Sequence, residues 1–138
     1  MKNNKGFSLV ELIIVIAIMA ILVGVMAPQL IKYVEKTNES SDAQLCDSVR
    51  TALTTASMDP DVVRGGGGLV GNGTVTSLSA ACADSNTLKA AEEILGVSSG
   101  SLNSQLKSKA GKAGGINITI TNSNQITVWC NSSIKSGN

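Results

Sequence analysis

Few residues in this 138-residue chain could do chemistry, and their spacing excludes more than it permits. There is no histidine, which removes the imidazole base and the commonest zinc ligand. Asp59 and Asp61 flank Pro60, and Glu92 and Glu93 are neighbours that a helix would point in different directions, so neither pair makes an acid–base site. Glu93 is the last acidic side chain, so the C-terminal 45 residues hold no carboxylate-rich calcium loop. GGGG at 65–68 lacks the Lys-Ser/Thr pair of a phosphate loop. The N-x-S/T triplets at Asn38, Asn72, Asn117 and Asn131 are expected by chance in a chain so rich in Asn, Ser and Thr. No catalytic constellation emerges. The chain reads as no enzyme, with no cofactor, no metal and no small-molecule substrate, and a net charge of +1 argues against a nucleic-acid partner.

Two sets of residues remain. Cys46, Cys82 and Cys130 are an odd number with no C-x-x-C spacing, compatible with one disulfide plus a thiol or with three buried thiols. If there is one disulfide, Cys82–Cys130 is favoured, because Cys130 falls on the inward face of a strand and Cys82 precedes a packed helix; the alternative is that Cys46, close to the Leu45–Val49 face, points at the sheet. The other is Glu11, near the start of GFSLVELIIVIAIMAILVGVMAP, residues 6–28. No charged residue follows it until Lys32. A helix over Phe7–Ala27 is about 32 Å long, the thickness of a bilayer's hydrocarbon core. An ionisable side chain at mid-depth in such a segment costs roughly 2.5–3.5 kcal/mol and marks function.

These residues must be positioned by a small number of elements. Lys2 and Lys5 precede the apolar run, and no A-x-A-like cleavage site follows it, which by hydrophobicity alone suits a membrane anchor with its lysines inside. Beyond Pro28 the helical pattern resumes, and Leu45, Val49, Ala52, Leu53 and Ala56 share one face. Residues 7–58 therefore read as one helix of about 78 Å, stopped at Asp59-Pro60. Pro28 lacks the N–H that would reach the Gly24 carbonyl, so the pattern predicts either a kink at Gly24–Pro28 or a tolerated membrane-helix proline.

Residues 60–86 read as irregular, with a short hairpin in 70–76 turning on Gly71-Asn72-Gly73. A second helix is expected over Leu88–Leu95, capped by Asn86 or Thr87 and stopped by Gly96, with a short turn after Ser101 carrying Leu102 and Leu106. GINITITNSNQITVWCN, residues 115–131, alternates as a hairpin turning at Asn122–Asn124. Ile116, Ile118, Ile120, Ile126, Val128 and Cys130 face inward, and Trp129 faces outward against a partner or under a loop. Removing residues 1–28 leaves 110, enough for a small domain.

Gly6, Phe7, Glu11 and the unbroken apolar run closely resemble the N-terminus of a type IV pilin. The resemblance covers residues 5–28 and implies an α+β fold. A long N-terminal helix, half membrane or filament core and half amphipathic, would pack on a small antiparallel β-sheet. It implies a leader over 1–6, an apolar helix over 7–28 and a globular head over 29–138 with a variable loop and a C-terminal hairpin. Prepilin peptidase would cut between Gly6 and Phe7, and Phe7 would become the N-methylated first residue. Held singly in the membrane by one span, the chain would pass through membrane assembly machinery into an extracellular homopolymer used for adhesion or surface motility. Glu11 would then pair with a Phe7 ammonium, its own or that of the preceding subunit, and Gly24 and Pro28 fit the family's helix irregularity. The chain departs from the family in carrying a single C-terminal cysteine, which suits a Gram-positive member. A secretion pseudopilin or a competence pilus subunit is the alternative, and the missing C-terminal acids weigh against a calcium-binding pseudopilin. A plain membrane-anchored binding domain is the third reading.

Overall fold

The computed structural model describes residues 6–121, 125–131 and 134–135. Helix α1 spans Leu9–Ser57, and its helical assignment is unbroken through Gly24 and Pro28. Contacts divide the chain into two compact units, Met1–Val34 and Glu35–Asn138. Residues 29–34, which the resemblance gives to the head, fall in the first unit.

In the second unit, α1 buries Cys46, Val49, Ala52, Leu53 and Ala56, with Asp42 one turn before Cys46. Leu45, expected on this face, lies at its half-buried edge. The helix ends as its last turn tightens, Met58 N donating to the Thr55 carbonyl and Asp59 N to that of Ala56. Asp59-Pro60 does more than stop it. The Asp59 side chain accepts from Asp61 N at 2.8 Å and caps α2, Pro60–Arg64, with proline at the first helical position, where its missing N–H does no harm.

The segment read as irregular also holds β1, Gly73–Val75, and α3, Leu78–Ala81. The local hairpin expected at 70–76 is not formed. Instead β1 pairs antiparallel with β2, Asn117–Ile120, Gly73 opposite Ile120 and Val75 opposite Ile118. Helix α4, Ser85–Leu95, is capped by Asp84 rather than Asn86 or Thr87: its carboxylate accepts from Thr87 N at 2.9 Å. Thr87 is buried instead, bonding the Asp84 carboxylate and accepting from Gly68 N at 3.0 Å. Gly96 ends α4 at φ +69°, a left-handed conformation that favours glycine. Two 3₁₀ turns, Ser99–Ser101 and Asn103–Gln105, bury Leu102 and Leu106.

Helix α5, Lys109–Gly114, has no counterpart in the sequence reading. Ser108 caps it by accepting from Gly111 N at 2.8 Å, and α1 holds its start. Buried Asp42 accepts from Lys107 N at 2.8 Å, from Ser108 N at 2.9 Å and from the Ser108 hydroxyl, while Glu35 accepts from Lys109 N at 2.6 Å. A Cβ on Gly111 would collide with an Asp42 carboxylate oxygen, and one on Gly114 with the Cys130 carbonyl. Both glycines are needed for close approach.

Among the described residues, four strands make one antiparallel sheet in the order β1-β2-β3-β4, with β3 at Ile126–Asn131 and β4 at Ile134–Lys135. The expected inward set on β2 and β3 is buried throughout, from Ile118 and Cys130 at 0% to Ile126 at 5% exposure. The expected turn at Asn122–Asn124 lies outside the described residues. Trp129 takes the outward face half-buried, its indole N–H donating to Thr119 Oγ1 at 3.3 Å, so a cross-strand threonine meets its polar edge. The α+β arrangement implied by the resemblance, a long helix against a small antiparallel sheet, is the one found.

Candidate functional site

The residues expected to act are concentrated in the first unit. Every described residue from Gly6 to Val34 is exposed. Phe7 is 93% exposed, and an 18-residue window of α1 has a mean hydropathy of 3.0 with none of it buried. Length and composition suit a membrane span. An apolar surface this continuous exceeds what soluble monomers leave open, and it marks a membrane or a protein interface.

Glu11 stands in the first turn of α1. Ser8 N donates to Glu11 Oε2 at 2.8 Å, and Ser8 Oγ accepts from Val10 N at 3.3 Å. Ser8-Leu9-Val10-Glu11 is thus a capping box: serine serves the second helical N–H, and the carboxylate three residues on reaches back to the serine N–H. The sign suits the position, since a helix N-terminus carries partial positive charge. Ser8 was missed in the sequence reading, although the S-x-x-E signature was there to be read. Phe7, Glu11, Leu12 and Val15 border one shallow surface, so the carboxylate sits on the same side as Phe7.

Gly6 and Phe7 precede the helix in an irregular, exposed segment, and a Cβ on Gly6 would meet nothing within 4 Å. Their backbone is accessible. Gly24 likewise has open space around it, and Pro28 lies inside α1.

The cysteines are arranged differently from the expectation. Cys46 Sγ lies 2.8 Å from Cys130 Sγ, both fully buried and both free thiols. The Cys82–Cys130 pairing favoured from the sequence is therefore not the one whose sulfurs the structure sets in contact. Cys82 ends α3 and bridges to Leu69 in a separate backbone pairing. Burial, then the charges of Asp84 and Glu92, push its thiol up to about 11. The hydrogen bond to Cys130, followed by burial, drives the Cys46 thiol far above its ordinary value. The described residues contain no group of three or more His, Cys, Asp or Glu that could hold a metal.

Residues 1–27 match the family described as a prokaryotic N-terminal methylation motif. Three curated proteins illustrate the similarity. The type IV wide pilus major component PilA4 of Thermus thermophilus is 47% identical over 51 residues, 36% of this chain and 39% of that protein. The fimbrial protein of Moraxella nonliquefaciens is 38% identical over 55 residues, 40% of this chain and 36% of that protein. The type IV major fimbrial protein FimA of Dichelobacter nodosus is 38% identical over 56 residues, 41% of this chain and 36% of that protein. The chain thus spans less than two fifths of the length of these relatives. No solved structure matches it. These matches lend no support to the Gram-positive source expected from the cysteines.

Proposed function

We propose that this chain, whose N-terminal segment is that of a type IV prepilin, is a structural subunit of a type IV pilus. The observation that carries the reading is the coincidence of the methylation-motif match at 1–27 with a fully exposed apolar half of α1. That surface needs lipid before assembly and other copies of itself afterwards. Prepilin peptidase cuts between Gly6 and Phe7 at the accessible segment ahead of α1 and methylates the new Phe7 amine. Assembly machinery in the membrane then draws the subunit into a helical homopolymer whose core is the apolar helices and whose coat is the heads. The filament serves adhesion or surface motility.

Glu11 is the assembly residue. Alone, it caps its own helix. In the apolar core it meets the Phe7 ammonium of a subunit already in place, and this pairing fixes axial register, a use suited to a buried polar group. Gly24 and Pro28 supply the place where α1 can bend or loosen as it leaves lipid for the filament.

Mass spectrometry of filaments sheared from the cell surface tests this reading. The expected chain begins at Phe7 and carries one additional methyl group. Recovery only of a membrane-held chain beginning at Met1 would contradict it and favour a plain membrane-anchored domain.

A further inference from the structure

Cys46 and Cys130 are 84 residues apart in sequence, yet their sulfurs meet at 2.8 Å in the core. That is less than an ångström beyond a disulfide bond of about 2.05 Å. Both side chains have no exposure, and both belong to the second compact unit. The backbone around them is closely fitted, with Gly114 of α5 directly over the Cys130 carbonyl. No redox-active C-x-x-C spacing is present, so the juxtaposition suits a structural link. We propose that Cys46 and Cys130 form a disulfide that ties the head-bearing half of α1 to strand β3, leaving Cys82 as the free thiol.

The oxidant is a protein or small-molecule disulfide outside the membrane, acting by thiol–disulfide exchange. One cysteine thiolate attacks a sulfur of that disulfide, forming a mixed disulfide and releasing one oxidant thiolate. The second cysteine thiolate attacks the chain's own sulfur in the mixed disulfide. The Cys46–Cys130 bond forms, and the oxidant leaves as two thiols. Two protons and two electrons pass from the cysteines to the oxidant. In the closed core both sulfurs are inaccessible and the Cys46 thiol resists ionisation, so the exchange precedes closure of the sheet on α1.

The link acts on the fold as a whole. It closes a loop containing α2 to α5 and the first two strands, so the head cannot slide off α1 while the bond holds. A filament subunit under tension is loaded along α1, and the bond passes that load directly to β3. The step needs an oxidising exterior, and to that extent it rests on the pilus reading.

The test is peptide mapping of the full chain from cell envelopes and, separately, from sheared surface material. Each sample is denatured and alkylated without reduction. The expected result is a cross-linked peptide containing Cys46 and Cys130, lost on reduction, with Cys82 alkylated. Cys82→Ser should leave the cross-link intact, and Cys46→Ser should abolish it and make Cys130 alkylatable. Alkylation of all three cysteines in both samples, or a cross-link through Cys82, would overturn the proposal. A Cys46–Cys130 link in envelopes without any sheared filament would uphold the bond and count against the pilus reading. Filaments whose cysteines are all alkylated would do the reverse.

Discussion

At the scale of single residues, Glu11 caps its own helix and, in the proposed filament, faces a neighbour's Phe7 ammonium, and the magnitudes of the two roles separate them. As a capping-box acceptor it is worth about 1 kcal/mol to the start of α1. As the counter-charge of a buried ammonium it is worth far more, since breaking such a pair costs about 3–5 kcal/mol. Every 1.4 kcal/mol is tenfold, so loss of the pair is on the order of a hundredfold or more and loss of the cap under tenfold. Glu11→Gln distinguishes them, because glutamine retains a capping oxygen but not the charge. The ratio of sheared filament to membrane pool should collapse in Glu11→Ala and Glu11→Gln alike, with cleavage after Gly6 preserved. Recovery of wild-type yield by Glu11→Gln would show that the cap is what matters. Asp42 poses a simpler case. It satisfies two backbone N–H groups and a hydroxyl at the start of α5. Asp42→Ala in a soluble head fragment should lower stability by about 1.5–3 kcal/mol, read as a shift in urea midpoint. An unchanged midpoint would mean that water replaces those bonds freely.

At the scale of elements, what could be read from the sequence depended on whether an element carries its own period. The second half of α1 repeats its apolar face over several turns, and β2 and β3 alternate cleanly, so both were legible. Helices α2 and α5 are five and six residues long, too short for a period to show. They exist because Asp59 and Ser108 cap them and because Asp42 and Glu35 reach over from α1. Strand β1 was misread as half of a local hairpin. Its partner is distant in sequence, with Thr74 Oγ1 bonded to Thr119 Oγ1 at 2.9 Å across 45 residues, and local turn signals carry no information on such pairings. The Cys46–Cys130 contact was half legible: the apolar face of α1 offers Cys46 to the sheet, but which strand that face meets is a long-range matter that no local pattern carries. Helix α4 supports a pH prediction. The Thr87 hydroxyl and N–H hold the Asp84 carboxyl below its ordinary range, and the Ser99 N–H and hydroxyl do the same for Glu92. A depressed folded-state value contributes stability that is present above the unfolded carboxylate range and lost as pH falls through the folded value. The urea midpoint of the head should therefore fall below about pH 4, and less steeply in Asp84→Asn. Equal slopes in the two proteins would show that Asp84 is uncoupled from folding.

At the scale of the whole molecule, the two compact units have opposite needs. The second encloses a core shared by α1, the short helices and the sheet. Among its described residues the first encloses nothing. A fragment beginning at Glu35 should therefore be a soluble monomer by sedimentation, since it retains Cys46, Val49 and Leu53 against Ile118, Val128 and Cys130. Its persistent aggregation would mean that the head depends on the apolar half. In the chain-entropy picture, a Cys46–Cys130 bond would add roughly 4–5 kcal/mol to that fragment, a large share of a small domain's stability.

The central claim is that the exposed half of α1 is covered by other copies of itself, with Glu11 meeting a neighbour's Phe7 amine. A helical reconstruction of the native filament by electron cryomicroscopy tests it most directly. The apolar helices should be bundled at the axis with the heads outside, and each Glu11 carboxylate should lie within ion-pair distance of the Phe7 nitrogen of an adjacent subunit. A filament with the segment from Phe7 to Val34 on its outer surface, or with Glu11 facing only apolar side chains, would contradict it.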